Sequence, residues 1–186
     1  MARGREGTTR REIRSALDGG AGVEDLREAI LQTYLFAGFP RAINGLWVLD
    51  EEAELRITNY ESRDRNRARR DGETLCRRIY GRDYEPMMRK MRRLSPDLAE
   101  WILIEGYGKV LSRPRFTARE RELMVVPALA AMEAWRQLPS HVQGARNVGA
   151  TQGDLRRIVD AVRDLLSGAV YGKLTALLMT APRRRD

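Results

Sequence analysis

The sequence predicts an all-α fold. Three observations carry that reading. Apolar residues recur at three- and four-residue spacing along most of the 186 residues, capping sequences recur between them, and alternating β-branched runs of strand type are nearly absent. The length fits one domain, or one domain with an elaborated arm, and suffices to bury a core without disulfide or metal staples. Hydrophobic residues make up 42% and charged residues 32%, the balance of a globular chain with a very polar surface.

The elements follow in order. Met1 to Arg11 carries charge without an apolar run, which is not the pattern of a secretory signal. A first helix is expected from about Glu24 to Ala37, with Leu26, Ala29, Ile30, Tyr34 and Ala37 on one stripe; Gly38 can end it and Pro40 forbids simple continuation. A second is expected from about Arg41, with Ile43, Leu46 and Trp47 inward. Tyr60 to Gly72 is almost wholly charged and reads as a linker or a highly exposed helix. Short helices then carry Leu75 and Ile79, and Met87, Met88 and Met91, as core filler. Ser95-Pro96 opens a helix whose Leu98, Trp101 and Ile102 are expected to face the core. Thr117-Ala118-Arg119-Glu120 fits a capping box for a helix bearing Leu123, Val126 and Leu129, with Pro127 a candidate kink. A helix over about Leu138 to Val148 ends at Gly149. Thr151 to Asp154 opens a long apolar stretch to Ala181, with Gly168 and Gly172 as candidate breaks.

This gives a helical arm over 1–59, a charged segment over 60–72, a main helical domain over 73–182 and a basic tail over 183–186. Asp25-Leu26-Arg27 before Gly38 echoes Asp154-Leu155-Arg156 before Gly168 at nearly the same distance, which points to a partial internal repeat.

The net charge is +8, and lysine occurs only at Lys90, Lys109 and Lys173, so nearly all of the 34 basic residues are arginine. That excess is concentrated in the first fifteen residues, in Arg63 to Arg70 and in the tail, and reads mainly as solvated surface. Nucleic-acid binding is disfavoured: aromatics total 6%, with no RNP motif, zinc finger or interleaved aromatic platform. Cys76 is the only cysteine and His141 the only histidine, which excludes an internal disulfide or a CxxC pair and disfavours zinc or haem. The longest uncharged apolar run, Leu123 to Met132, is too short to span a bilayer, so the expected location is cytoplasmic, without membrane partners.

Two residues carry chemical content. His141 shares a helical face with Leu138 and Ala145, and Glu122 points along the stripe of Val125, Val126 and Leu129. If the two helices pack as a hairpin, carboxylate and imidazole meet inside, where the carboxylate could orient the ring and set its proton affinity. A buried hydrogen bond with a purely structural role fits the same pattern.

Leu111-Ser112-Arg113-Pro114, Thr117 to Leu123, Gln137 to His141 and Gly144 to Thr151 resemble, in order and spacing, the carboxymuconolactone decarboxylase family, which shares its fold with the AhpD-like alkylhydroperoxidases. The resemblance extends from Gly72-Glu73-Thr74-Leu75 and Gly81 to about Gly168. Gly22 to Tyr34 and Gly38-Phe39-Pro40 resemble the part of that family that normally follows the histidine helix, here placed before the main domain. The implied fold is an AhpD-like helical bundle whose N-terminal arm is a partial second copy.

The resemblance puts the peroxidase branch's glutamate on Glu122 and its histidine on His141, but its two cysteines fall on Ala134 and Gln137. Thiol peroxidase chemistry needs both thiols, so it is not expected. The decarboxylase branch lacks the cysteines, and likeness to it implies cofactor-free loss of CO2 from a small lactone-type carboxylate. His141 would be the acid that protonates carbon and Glu122 its tuning partner. Arg113 would clamp a carboxylate, with Tyr107 and Gln137 as lining donors. Trp135 and Pro139 stand where the family commonly has small or charged residues, which implies a reshaped or closed pocket. The family also implies a homo-oligomer, a trimer or hexamer. A non-catalytic helical oligomer with a structural Glu122–His141 pair is the alternative.

Overall fold

A computed structural model describes residues 6–56 and 64–179. Among them there is no strand, so the chain is all-α, of the AhpD-like bundle type expected. It divides into two compact units, Met1–Arg63 and Asp64–Asp186. Residues 60–63 of the charged segment and the basic tail over 183–186 lie outside the described residues.

The first unit holds α1 (Glu6–Asp18), α2 (Val23–Ala37) and α3 (Phe39–Ala53). Helix α1 was not legible in the charged start. It buries Thr9 and Ile13, and its Arg10 and Arg14 pair with Glu52 on α3. The α2 helix ends at Gly38, whose φ of 79° suits glycine and whose N–H caps Tyr34 O, and Pro40 falls in the first turn of α3. The core is Ile13, Ile30, Val48 and Leu49, with Leu17, Val23, Leu26 and Leu46 packed against it. The inward face of α3 differs from expectation. Ala42, Gly45, Val48 and Leu49 are buried, whereas Ile43 and Trp47 are 43% and 65% exposed. Small residues let α3 pack closely on that side, which turns the bulky stripe outward.

The second unit opens with α4 (Arg65–Tyr80), capped by the Asp64 carboxylate on Arg67 N. Residues 65–72 are therefore half of a helix with a buried side, where Ala68 and Gly72 are covered. After a 3₁₀ turn come α5 (Tyr84–Leu94) and α6 (Pro96–Trp101), the latter capped by Ser95 Oγ on Leu98 N. Met88 is buried as core filler, but Leu98 and Trp101 are 47% and 59% exposed; Ala99, Leu103 and Ile104 face inward instead. Within α6 the covered residue is the small Ala99, and the bulky pair lies on the open side. From Ile102 to Leu111 the chain winds as a π-helix, whose wider turn carries the buried face to Leu103, Ile104, Tyr107, Gly108, Val110 and Leu111.

That π stretch lies directly on α4. A Cβ on Gly72 would fall 1.9 Å from Leu103 O, and one on Gly108 would fall 2.0 Å from Ala68 O. The two backbones thus touch with no side chain between them. The α7 helix (Ala118–Ala131) begins at the full Thr117/Glu120 capping box and carries Pro127 within it. It packs on α8 (Leu138–Asn147), beyond which Gly149 takes φ 98°. The α9 helix (Gln152–Ala161) starts at a second capping box, Thr151 with Asp154, and α10 (Gly168–Met179) follows a break at 162–167. Gly168 marks that break; Gly172 lies inside α10. No helix among the described residues is long and apolar enough to cross a membrane.

Candidate proton-transfer site on α7 and α8

The capping box of α7 sets its register and turns Glu122 inward beside Val125, Val126 and Leu129. Glu122 is 0% exposed. His141 stands on the first turns of α8, its side chain 12% exposed, and its Nδ1 lies 2.9 Å from Glu122 Oε2. The hairpin of α7 and α8 thus brings together the two residues that sequence pattern singles out. Space for the carboxylate comes from Gly144, where a Cβ would sit 3.2 Å from Glu122 Oε2 and 2.6 Å from Ile79 Cγ2. Glu122 Oε1 is buried with no hydrogen-bond partner among the described residues.

Helix α4 covers this pair. Cys76 and Tyr80, one turn apart, lie on the same side as Ala68 and Gly72. The Tyr80 ring meets His141 edge-on at 6.2 Å and Tyr107 at 6.0 Å between centroids. Tyr107 Oη donates to Tyr80 Oη at 2.8 Å. Next to His141, Ser140 Oγ donates to Gln137 O at 2.7 Å. Burial raises both phenols above the usual tyrosine range, so they remain neutral donors at physiological pH. Burial, then the nearby Glu122 charge, pushes the Cys76 thiol up to about 12. Asn147 Nδ2 fastens α8 to α4 by donating to Ile79 O at 2.7 Å.

The other expected residues are placed as follows. Tyr107 is buried and reaches the pair through Tyr80. Gln137 is exposed at the start of α8, where its carbonyl, not its side chain, takes part in the bonding just described. Arg113 is half-buried in the turn before α7, and its carbonyl accepts from the buried guanidinium of Arg121, which also stacks on Phe116. Ala134 and Gln137 occupy the turn and first residues between α7 and α8, so no thiol stands there. Tyr80, Ser140 and Arg121 are contributors that sequence pattern did not single out. Tyr80 sits in a run of arginines, and only its contact with Tyr107 gives it meaning. Among the described residues no group of three or more His, Cys, Asp or Glu side chains could hold a metal ion.

Comparison with known proteins converges on the same region. Residues 96–172 match the model of the Carboxymuconolactone decarboxylase family. The chain is 33% identical over 137 residues to "Peroxisomal protein 2" of Schizosaccharomyces pombe, covering 68% of this chain and 62% of that protein. It is 26% identical over 168 residues to "Peroxisomal protein 2" of Saccharomyces cerevisiae, covering 75% of this chain and 58% of that protein. The chain thus spans about three-fifths of the length of the curated relatives it matches.

Proposed function

We propose that this chain, whose residues 96–172 form a carboxymuconolactone decarboxylase family domain, is a cofactor-free lyase acting on a small carboxylated, lactone-type molecule, with Glu122 and His141 as its proton-transfer couple. The observation that carries this is the fully buried Glu122 carboxylate held 2.9 Å from Nδ1 of an imidazole that reaches solvent. An ionised carboxylate only accepts hydrogen bonds, so the hydrogen between them sits on Nδ1 and the lone pair falls on Nε2. His141 can then take a proton at Nε2 and return it to carbon, while Glu122 fixes the orientation of the ring. A buried carboxylate with one oxygen unpartnered is costly, and such costs are characteristic of functional sites. Arg113 is the group proposed to hold the substrate carboxylate, with Tyr107 and Gln137 as further lining residues.

Thiol peroxidase chemistry is not supported. Ala134 and Gln137 stand where the thiols would be, and Cys76 is a buried, protonated thiol. The exposed Phe39, Ile43 and Trp47 on α3, and Leu94, Leu98 and Trp101 on α5 and α6, support self-association; a trimer or hexamer is the state that the family resemblance implies. The name shared by both relatives, "Peroxisomal protein 2", favours residence in the peroxisome over the cytoplasm at large.

The test is turnover of a panel of small carboxylated lactones, read as CO2 release, by wild type and His141→Ala. Loss of turnover with an unchanged helical spectrum supports the lyase. The complete burial of Glu122 against Gly144 favours a second reading, a purely structural pair. Unfolding of His141→Ala, with no turnover by wild type on any panel member, would establish it.

A further inference from the structure

We propose that the exposed side of α5 is a peripheral contact for a membrane surface rich in anionic phospholipid. Arg89, Lys90, Arg92 and Arg93 would meet the phosphate headgroups, and Leu94 would enter their boundary with the acyl chains. The contact needs no spanning helix. It uses neither Glu122 nor His141 and stands whatever that pair does.

The argument begins with what these cations lack. Elsewhere in the second unit arginines are matched: Arg69 with Glu73 and Glu100, Arg77 with Glu73 and Glu85, Arg119 and Arg157 with Asp154. The four cations of α5 are all exposed, and none has an ion pair or a side-chain hydrogen bond among the described residues. Arg82, in the turn just before α5, is exposed and equally unmatched. Arg89 stands three and four residues before Arg92 and Arg93, and Lys90 stands three before Arg93. They are neighbours on one helix surface, and like charges at that spacing repel. Such repulsion lowers stability, and an anionic partner relieves it. Phosphate oxygens would also supply the acceptors that these ammonium and guanidinium groups do not find within the chain.

The apolar rim selects the partner. Tyr84 and Met88 anchor the other side of α5 in the core. Leu94, four residues after Lys90, stands 61% exposed at the edge of the basic side. A bilayer surface meets both features, with phosphates for the cations and the border of the hydrocarbon for the leucine. A nucleic acid offers the phosphates but gives Leu94 no apolar cover. It also finds no stacking platform, because the one aromatic of α5, Tyr84, is buried. Leu98 and Trp101 belong to α6 and are left to the contact between copies.

The experiment is co-sedimentation of the purified full chain with vesicles of phosphatidylserine mixed into phosphatidylcholine, against vesicles of phosphatidylcholine alone. Wild type is expected to sediment with the anionic vesicles, not with the neutral ones, and to be released as salt rises. Each Lys or Arg near such a surface raises affinity about fivefold, so Arg89→Gln/Arg93→Gln should weaken binding about 25-fold. Arg11→Gln/Arg56→Gln removes the same charge from side chains 69% and 80% exposed in the first unit, and should bind as wild type does. Leu94→Ser should weaken binding several-fold. If the first variant does not fold, Lys90→Gln/Arg92→Gln serves instead, with the same loss expected. No sedimentation by wild type, equal losses in the α5 and first-unit arginine variants, or wild-type affinity in Leu94→Ser overturns the proposal. Tighter binding to a DNA duplex than to the anionic vesicles also overturns it, and makes this face a nucleic-acid contact. The readout needs no turnover, so it can fail while the His141 experiment succeeds, and the reverse.

Discussion

Replacing Gly72 by alanine should disrupt the contact that holds α4 against the π-helical stretch. The added Cβ would stand 1.9 Å from Leu103 O, 2.8 Å from Gly108 N and 2.9 Å from Leu103 C. Ordinary contact begins at 3.4 Å, so the two backbones must part by about 1.5 Å. Every clashing atom is main chain, and no rotamer change relieves it. Overpacking a core costs about 1–3 kcal/mol even where side chains can adjust. Here the cost lies at or above the upper end, and the better helix propensity of alanine returns only about 1 kcal/mol. The expected net loss is about 2 kcal/mol or more, read as a lower urea midpoint. Gly172, inside α10 with nothing within 4 Å of its Cβ position, is the control. Gly172→Ala should leave the midpoint unchanged or raise it. A Gly72→Ala midpoint equal to that of Gly172→Ala would refute the close-contact argument. The consequence reaches the site, because Cys76 and Tyr80 ride on the same helix and the Tyr80–Tyr107 bond spans the contact.

Three further outcomes follow from the same geometry. The Cys76 thiol is held near 12 against an ordinary 9.0, so between those values the unfolded chain ionises while the folded one does not. Stability should fall there by up to about 1.4 kcal/mol per pH unit, and Cys76→Ala should flatten the slope in urea melts taken from pH 8 to 11. Thr117→Ala removes the box that sets the start of α7 and should cost about 1 kcal/mol in the same assay. The exposed Leu98 and Trp101 should be covered by another copy, so light scattering should give a multiple of the 21.3 kDa chain mass, reduced in Leu98→Ser/Trp101→Ser.

Local signals were readable in the sequence because they are local. Ser95 with Pro96, Thr117 with Glu120, Thr151 with Asp154 and the turn at Gly38 are bonds or torsions formed within a few residues. The Glu122–His141 contact was readable because a charged residue on an apolar stripe has few places to go. Which side of a helix meets its neighbour was harder. Ile43, Trp47, Leu98 and Trp101 read as inward and lie outward, because periodicity marks a stripe without saying what covers it. On α3 the covered side is lined partly by Ala42 and Gly45, which chain proximity selects over bulk. The π stretch was invisible because its wider turn leaves no mark in a spacing of three and four residues. Tyr80 was missed for a related reason: its role depends on Tyr107, 27 residues away on that stretch.

The ring of His141 tests the central claim most directly. It is the only histidine in the chain, so ¹⁵N NMR of the imidazole reads it without assignment. If Glu122 accepts from Nδ1, the neutral ring carries its hydrogen on Nδ1 and leaves Nε2 bare, the minor form of free histidine in water. Glu122→Gln should relax that preference and cost about 1.5–3 kcal/mol of stability. An Nε2-protonated neutral ring in wild type, unchanged in Glu122→Gln, would contradict the pairing from which the proton-transfer reading is built.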